Sequence, residues 1–118
     1  ASVLKIAKDE DIRFAEISAI GAVGRAVFGL YDLEEQKYHS LTFVQPLELV
    51  SLNGNLSRKD GEPYLHLHAA FADEKGAVIG GHLNEAVISA TCEMFIKIFD
   101  IDIGRRISEQ TGLNIFDI

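Results

Sequence analysis

The chain has 118 residues, of which 47% are hydrophobic and 25% are charged, and its net charge is −7. These values are ordinary for one globular domain, so composition indicates neither a disordered chain nor a membrane protein. The acidic balance opposes non-specific binding to nucleic acid, which depends on Lys and Arg neutralising phosphates.

Targeting and redox features point to the cytoplasm. No apolar run approaches the ~20 residues that span a bilayer, and the first residues lack the pattern of a signal peptide. Cys92 is the single cysteine and therefore forms no intramolecular disulfide, as is typical of a reducing compartment. We expect a cytoplasmic protein that binds no membrane.

The first predicted elements are a short helix and two strands. Residues 2–11 place apolar side chains on one face of a helix. Residues 12–32 are rich in β-branched and aromatic residues and are interrupted by Gly21, Gly24 and Gly29. We predict two strands there, with glycines where the sheet bends or another backbone comes close.

Strands dominate the rest of the chain. We predict strands in residues 38–45, in 47–58 with a kink near Asn53-Gly54, in 64–73 and in 77–83. Residues 85–100 are long and apolar enough for a helix, but their β-branched and aromatic content favours a strand. We predict that the tail, residues 104–118, is a loop with one short terminal strand. The predicted fold is α+β, a mostly antiparallel twisted β-sheet with one or two covering helices, in a single domain over residues 1–118.

Two histidines lie one residue apart in the run YLHLHAAF, residues 64–71. Side chains alternate between the faces of a strand, so Leu65 and Leu67 face the core while His66 and His68 share the other face. Their Cα atoms are about 6.5–7 Å apart by strand rise, close enough for both imidazoles to converge on one point. A His-X-His pair alone is common on a solvated strand face.

A third histidine depends on the register of the next hairpin. If Glu74-Lys75-Gly76 is a three-residue loop with Gly76 in the left-handed conformation, His68 lies opposite His82. A two-residue loop would shift the register by one and place Leu67 there instead. Gly76 favours the first register. Three imidazoles on one face match a zinc site with an open fourth position, so we predict that His66, His68 and His82 bind zinc.

Other candidate site residues are less constrained. Gly80 and Gly81 remove side-chain bulk next to His82, and Tyr64 shares the histidine face. His39 has no evident partner and is interpreted as a surface residue. The remaining candidates for a pocket are two carboxylates and one guanidinium: Glu48, Glu93 and Arg105.

The pattern from residue 47 to residue 83 resembles the plant and prokaryote conserved domain, called PPC or PCC, in its prokaryotic form. The recurring features are Glu48 before an apolar run and Gly54, then His66-Leu67-His68, then Gly80-Gly81-His82-Leu83. The match continues upstream through GAVGRAVFGLYD and downstream through RRISEQTGL. The resemblance implies an antiparallel α+β fold that assembles as a homotrimer.

The resemblance also bears on function. Family members are often described as DNA-binding, because plant relatives join this domain to AT-hook segments, but this chain has no Arg-Gly-Arg-Pro hook. Plant members also lack the His-X-His and Gly-Gly-His pieces. The fold is similar to a domain of acetolactate decarboxylase, whose zinc is held by a His-X-His pair and a later histidine. The family usually begins with a strand before the first helix, which this sequence lacks, and Ser108 stands where an aspartate is frequent.

Three functions are consistent with these patterns. The favoured one is a non-enzymatic trimeric binding or regulatory module, associated with DNA through partners and carrying the zinc site. The second is a zinc-dependent, lyase-like enzyme or a protein that binds a small-molecule metabolite. The third is a structural module in which the histidines are incidental.

Overall fold

The computed structural model describes residues 2–118, which form one helix and six strands. Alternating apolar residues and glycine-bearing turns account for most of the boundaries. In chain order the elements are α1 Ser2–Asp9, β1 Ala15–Asp32, β2 Lys37–Lys59, β3 Glu62–Ala72, β4 Val78–Ile98, β5 Arg105–Ile107 and β6 Asn114–Phe116.

Strands β1 to β4 form a closed antiparallel barrel. β1 pairs with both β2 and β4, and β3 pairs with the same two strands on the opposite side. The predicted antiparallel α+β architecture with a covering helix is therefore confirmed, and the sheet closes upon itself. Closure is partial: β4 pairs with β3 only over Val78–His82, so the rest of β4 and β2 before Glu48 pair with β1 alone among the described residues.

The first two predicted strands are one continuous strand, and so are the next two. β1 runs through Gly21 and Gly24, where its pairing with β2 shifts register instead of turning. β2 runs through Pro46, which lies where the β1–β2 pairing skips between Val44 and Leu47. Because proline has no N–H to donate, an irregular position of this kind tolerates it.

Two smaller predictions about strand geometry were wrong. The irregularities in β2 lie around Pro46 and between Leu49 and Leu52, whereas Asn53 and Gly54 pair regularly with both neighbouring strands. The C-terminal tail forms two short antiparallel strands, β5 and β6, where one was predicted. Both features depend on which strand lies alongside, and local sequence does not determine that.

The core fills the barrel interior and the space under α1. Phe28 stacks between Phe43 and Phe71, with ring centroids 5.4 Å apart in both pairs. Leu67 and Ala69 are buried beside Phe71, as alternation along β3 predicted, and Ala7 of α1 is fully buried. No helix in residues 2–118 is long and apolar enough to span a membrane.

Candidate metal centre

The β3–β4 hairpin has the predicted three-residue loop. Asp73 N–H donates to the Ala77 carbonyl at 2.9 Å, and Gly76 adopts a φ of 80°. The Asp73 carboxylate also accepts bonds from the backbone N–H groups of Lys75 and Ala77, each at 2.9 Å. This turn places His68 directly opposite His82, so the predicted register is confirmed.

The three histidines converge on the outer face of the barrel. Nε2 of His66 lies 3.2 Å from Nε2 of His68, and one ring nitrogen from each of the three residues lies within 4.8 Å of the others. The ring centroid of His82 lies 5.3 Å from that of His66 and 5.6 Å from that of His68. Nitrogen atoms this close can share one cation, because zinc–nitrogen bonds are about 2.0–2.1 Å long.

Burial and nearby charges favour the neutral form of His66 and of His82. Burial lowers the pKa of His66, and the positive charge of Arg105 and then the neighbouring histidines lower it further. Burial also lowers the pKa of His82, with a smaller contribution from His68. The neutral imidazole is the form that binds a metal, so both shifts favour coordination over protonation.

Tyr38 is a neighbour of the cluster that the sequence did not reveal. Its ring meets that of His82 edge-on, with centroids 5.6 Å apart, and its hydroxyl lies 3.1 Å from the His82 carbonyl and also within reach of Asn84. Gly29 is the β1 residue opposite His82, so no β1 side chain stands between the two rings. The contact could have been predicted only from the pairing register of β1 with β2 and with β4.

Arg105 and Tyr64 lie beside His66, whereas the two candidate glutamates do not join the cluster. The Arg105 guanidinium lies over the Tyr64 ring at 4.8 Å and bonds to Asn55, the β2 partner of His66. Glu48 and Glu93 are exposed, and neither carboxylate belongs to the group of converging ligand atoms within residues 2–118.

At Gly80 and Gly81 the backbone of a neighbouring strand comes close, as expected from the lack of a side chain. A Cβ at Gly80 would lie 2.1 Å from the Ala69 carbonyl oxygen, and a Cβ at Gly81 would lie 2.5 Å from that of Gly29. These glycines therefore let β4 pack against β3 and β1 in the two residues before His82. They support the site by permitting the barrel to close there.

A second group of possible ligands has a simpler explanation. Asp32, Glu35 and His39 bring ligand atoms within 4.8 Å of one another. However, Asp32 already accepts two backbone N–H bonds in its turn, and the exposed His39 lies 3.4 Å from the Glu35 carboxylate. His39 is thus a surface residue, as predicted, with an acidic neighbour.

Solved structures share this fold across almost the whole chain. A metal-containing protein from Archaeoglobus fulgidus is 40% identical, with a TM-score of 0.92 over 98% of this chain and 81% of its own. A plant- and prokaryote-conserved (PPC) protein from Pyrococcus horikoshii is 32% identical, with a TM-score of 0.91 over 99% and 81%. A provisionally named DNA-binding protein from Bacteroides thetaiotaomicron is 28% identical, with a TM-score of 0.95 over 98% and 81%.

A comparison with curated proteins found no match. The family model of the Plants and Prokaryotes Conserved (PCC) domain matches residues 1–100, which include every strand of the barrel and all three clustered histidines. The chain belongs to the PCC domain family.

Proposed function

We propose that this protein is a trimeric PCC module that binds one zinc ion per chain through His66, His68 and His82. The observation that carries the proposal is the convergence of three ring nitrogens within 4.8 Å on one face of the barrel. Imidazole suits zinc, and three protein ligands leave a position open for water or a ligand. The Archaeoglobus relative, named as a metal-containing protein, supports a metal in this family.

Metal content tests the zinc proposal directly. Protein purified from zinc-supplemented cells should hold about one zinc per chain, and His66→Ala with His68→Ala should reduce that content at least about tenfold, because ligand loss leaves too few donors. His39→Gln is the matched control, since His39 lies outside the cluster. Zinc content that is unchanged after the double substitution would contradict the proposed site.

The trimer is proposed from the family resemblance and from the apolar outer surface. Phe95 of β4 is 75% exposed, and it lines one surface cavity together with the exposed Ile20 and Val50, so apolar side chains are contiguous there. Contiguous exposed apolar surface on a small domain is typical of an interface with another chain. A second copy is the partner that the resemblance implies.

Association with DNA is proposed to be indirect. The Bacteroides relative is provisionally named as DNA-binding, whereas this chain carries a net charge of −7. Because phosphate contacts supply most non-specific affinity, we expect the purified protein alone to give no shift of duplex DNA at low salt. A shifted complex that weakens steeply as salt is added would instead show direct binding.

A zinc-dependent lyase-like enzyme, or a protein that binds a metabolite, is the alternative proposal. The position of Arg105 beside His66 favours it, because a cation next to a metal can orient an anionic ligand. Two surface cavities, of about 370 and 280 Å³, have no histidine in their walls, and this arrangement favours the non-enzymatic module. The similarity to acetolactate decarboxylase and the cytoplasmic location stay predictions.

A further inference from the structure

Arg105 is held rigidly next to the histidine cluster. Its guanidinium lies between two aromatic rings, 4.8 Å from the centroid of Tyr64 and 4.4 Å from that of Phe116. Nε donates to Ser57 at 2.9 Å, and the two terminal nitrogens donate to the Asn55 side chain at 2.7 Å and the Asn114 carbonyl at 3.2 Å. Such stacking and forked bonding restrict a long side chain to one position.

This guanidinium makes no ion pair within residues 2–118, although Asp102 and Asp117 line the same cavity as Arg105. Its three acceptors are a hydroxyl, an amide and a carbonyl. Burial lowers the pKa of Arg105, which indicates that solvent only partly stabilises its charge. Guanidinium has five N–H donors, so two of them remain available, one on each terminal nitrogen.

Strand pairing places this charge on the same face as His66. Asn55, which accepts the 2.7 Å bond, pairs directly with His66, and side chains of opposed residues lie about 4.5–5.5 Å apart at Cβ. Tyr64 precedes His66 by two residues and so also shares its face. The cation and the three imidazoles therefore border one patch of the barrel surface.

We propose that this patch binds a small carboxylate, with one oxygen directed to the metal of His66, His68 and His82 and the other to Arg105. The inference rests on the proposed zinc site. Within residues 2–118 no carboxylate joins the three imidazoles, so a divalent cation bound there keeps its full charge and favours an anionic ligand. A carboxylate has two planar oxygens, and guanidinium N–H groups pair with it in a fixed geometry.

Cobalt-substituted protein provides a test that does not depend on activity. Co²⁺ in place of zinc has visible absorption bands that change when a ligand enters the coordination sphere, and we would titrate this protein with acetate. We expect Arg105→Met to weaken acetate binding at least about tenfold, because it removes charge-assisted bonds. Arg105→Lys keeps the charge but not the fork, so we expect an intermediate effect.

Arg106→Met is the matched control. Arg106 is exposed, its Nε lies 3.6 Å from Asp117, and it follows Arg105 directly, so its loss should leave acetate binding within about twofold of wild type. Acetamide, the neutral isostere, should bind much more weakly than acetate. Cobalt stoichiometry and circular dichroism show whether each variant still folds and holds metal.

The outcomes separate this inference from the metal site itself. A protein that takes up no Co²⁺ would overturn the metal site and the carboxylate assignment together. Normal Co²⁺ content with equal acetate affinity in wild type and Arg105→Met would overturn only the role of Arg105. Equal affinity for inorganic phosphate and acetate would overturn the assignment to carboxylates, because it would show recognition of charge without the planar geometry.

Discussion

At the scale of single residues, the molecule combines three imidazoles with one guanidinium, and within residues 2–118 no carboxylate oxygen joins the three converging ring nitrogens. Burial and mutual repulsion lower the pKa values of His66 and His82, and Arg105 adds to the effect on His66. The lowered pKa values of these two histidines favour the neutral imidazole, which is the form that binds a metal. They also make the metal-free protein sensitive to acid.

The lowered pKa values predict that metal-free protein loses stability as the pH falls below 6.5, the ordinary value for histidine. Below that pH the unfolded chain takes up protons that the folded chain resists, so the free energy of unfolding decreases toward the lower folded pKa values. Urea unfolding at about pH 7.5 and about pH 5.5, with a chelator present, measures this difference. A variant with His66→Ala and His82→Ala should show a flatter pH dependence, and an equally steep one would contradict this assignment.

At the scale of elements, the β3–β4 hairpin determines which residue faces His68. Its loop depends on one residue, Gly76, with a φ of 80°. Asp73 supports the same loop through two side-chain bonds to the backbone. The geometry of the metal site therefore depends on turn chemistry that lies outside the site.

Gly76→Ala should lower the free energy of unfolding by about 1–2 kcal/mol, because an L side chain is strained at a positive φ even with open space around it. Zinc affinity should fall as well if the strain disturbs the pairing of His68 with His82. Gly24→Ala is the control, since its φ is not positive and its Cβ would make an ordinary contact at 3.6 Å with Ser89. Chemical denaturation with a zinc titration measures both effects. Equal losses in the two variants would contradict the role of the Gly76 conformation.

At the scale of the whole molecule, the barrel has a filled interior and an apolar exterior on β4. Phe28 and Phe71 are almost fully buried inside, while Phe95, which pairs with Ser18 on the outer face, is 75% exposed. β4 is 21 residues long, but only Val78–His82 pair with β3, so most of β4 pairs with β1 alone among the described residues. We expect assembly to bury the apolar exterior.

The proposed trimer predicts that sedimentation equilibrium at micromolar concentration gives the mass of three chains. Phe95→Glu should shift the protein toward monomer, because it places a charge in a surface that assembly would desolvate. Leu33→Glu is the control, since Leu33 is 60% exposed in the loop between β1 and β2. A wild-type monomer, or a Phe95→Glu variant that assembles as well as wild type, would contradict the proposal.

Much of the candidate site was predictable from local sequence. Alternation along β3 placed His66 and His68 on one face, and Gly76 predicted the loop that adds His82; the structure confirms both. These inferences succeeded because side-chain alternation and left-handed turns are local properties of the backbone. The short helix and the strand nature of residues 85–98 were likewise predictable from residue pattern and type.

Other features were decided only by tertiary structure. Whether β1 and β2 turn or continue at their glycines and at Pro46 depends on the bulges that neighbouring strands accommodate. Closure of the barrel, Tyr38 against His82, and Arg105 beside His66 join distant parts of the chain. Tyr38 and His82 are 44 positions apart, and the bond from Arg105 to Asn55 spans 50. Local sequence determined the histidine face, whereas the long-range pairing of strands determined which charges and rings surround it, because such contacts form only once the whole sheet is in register.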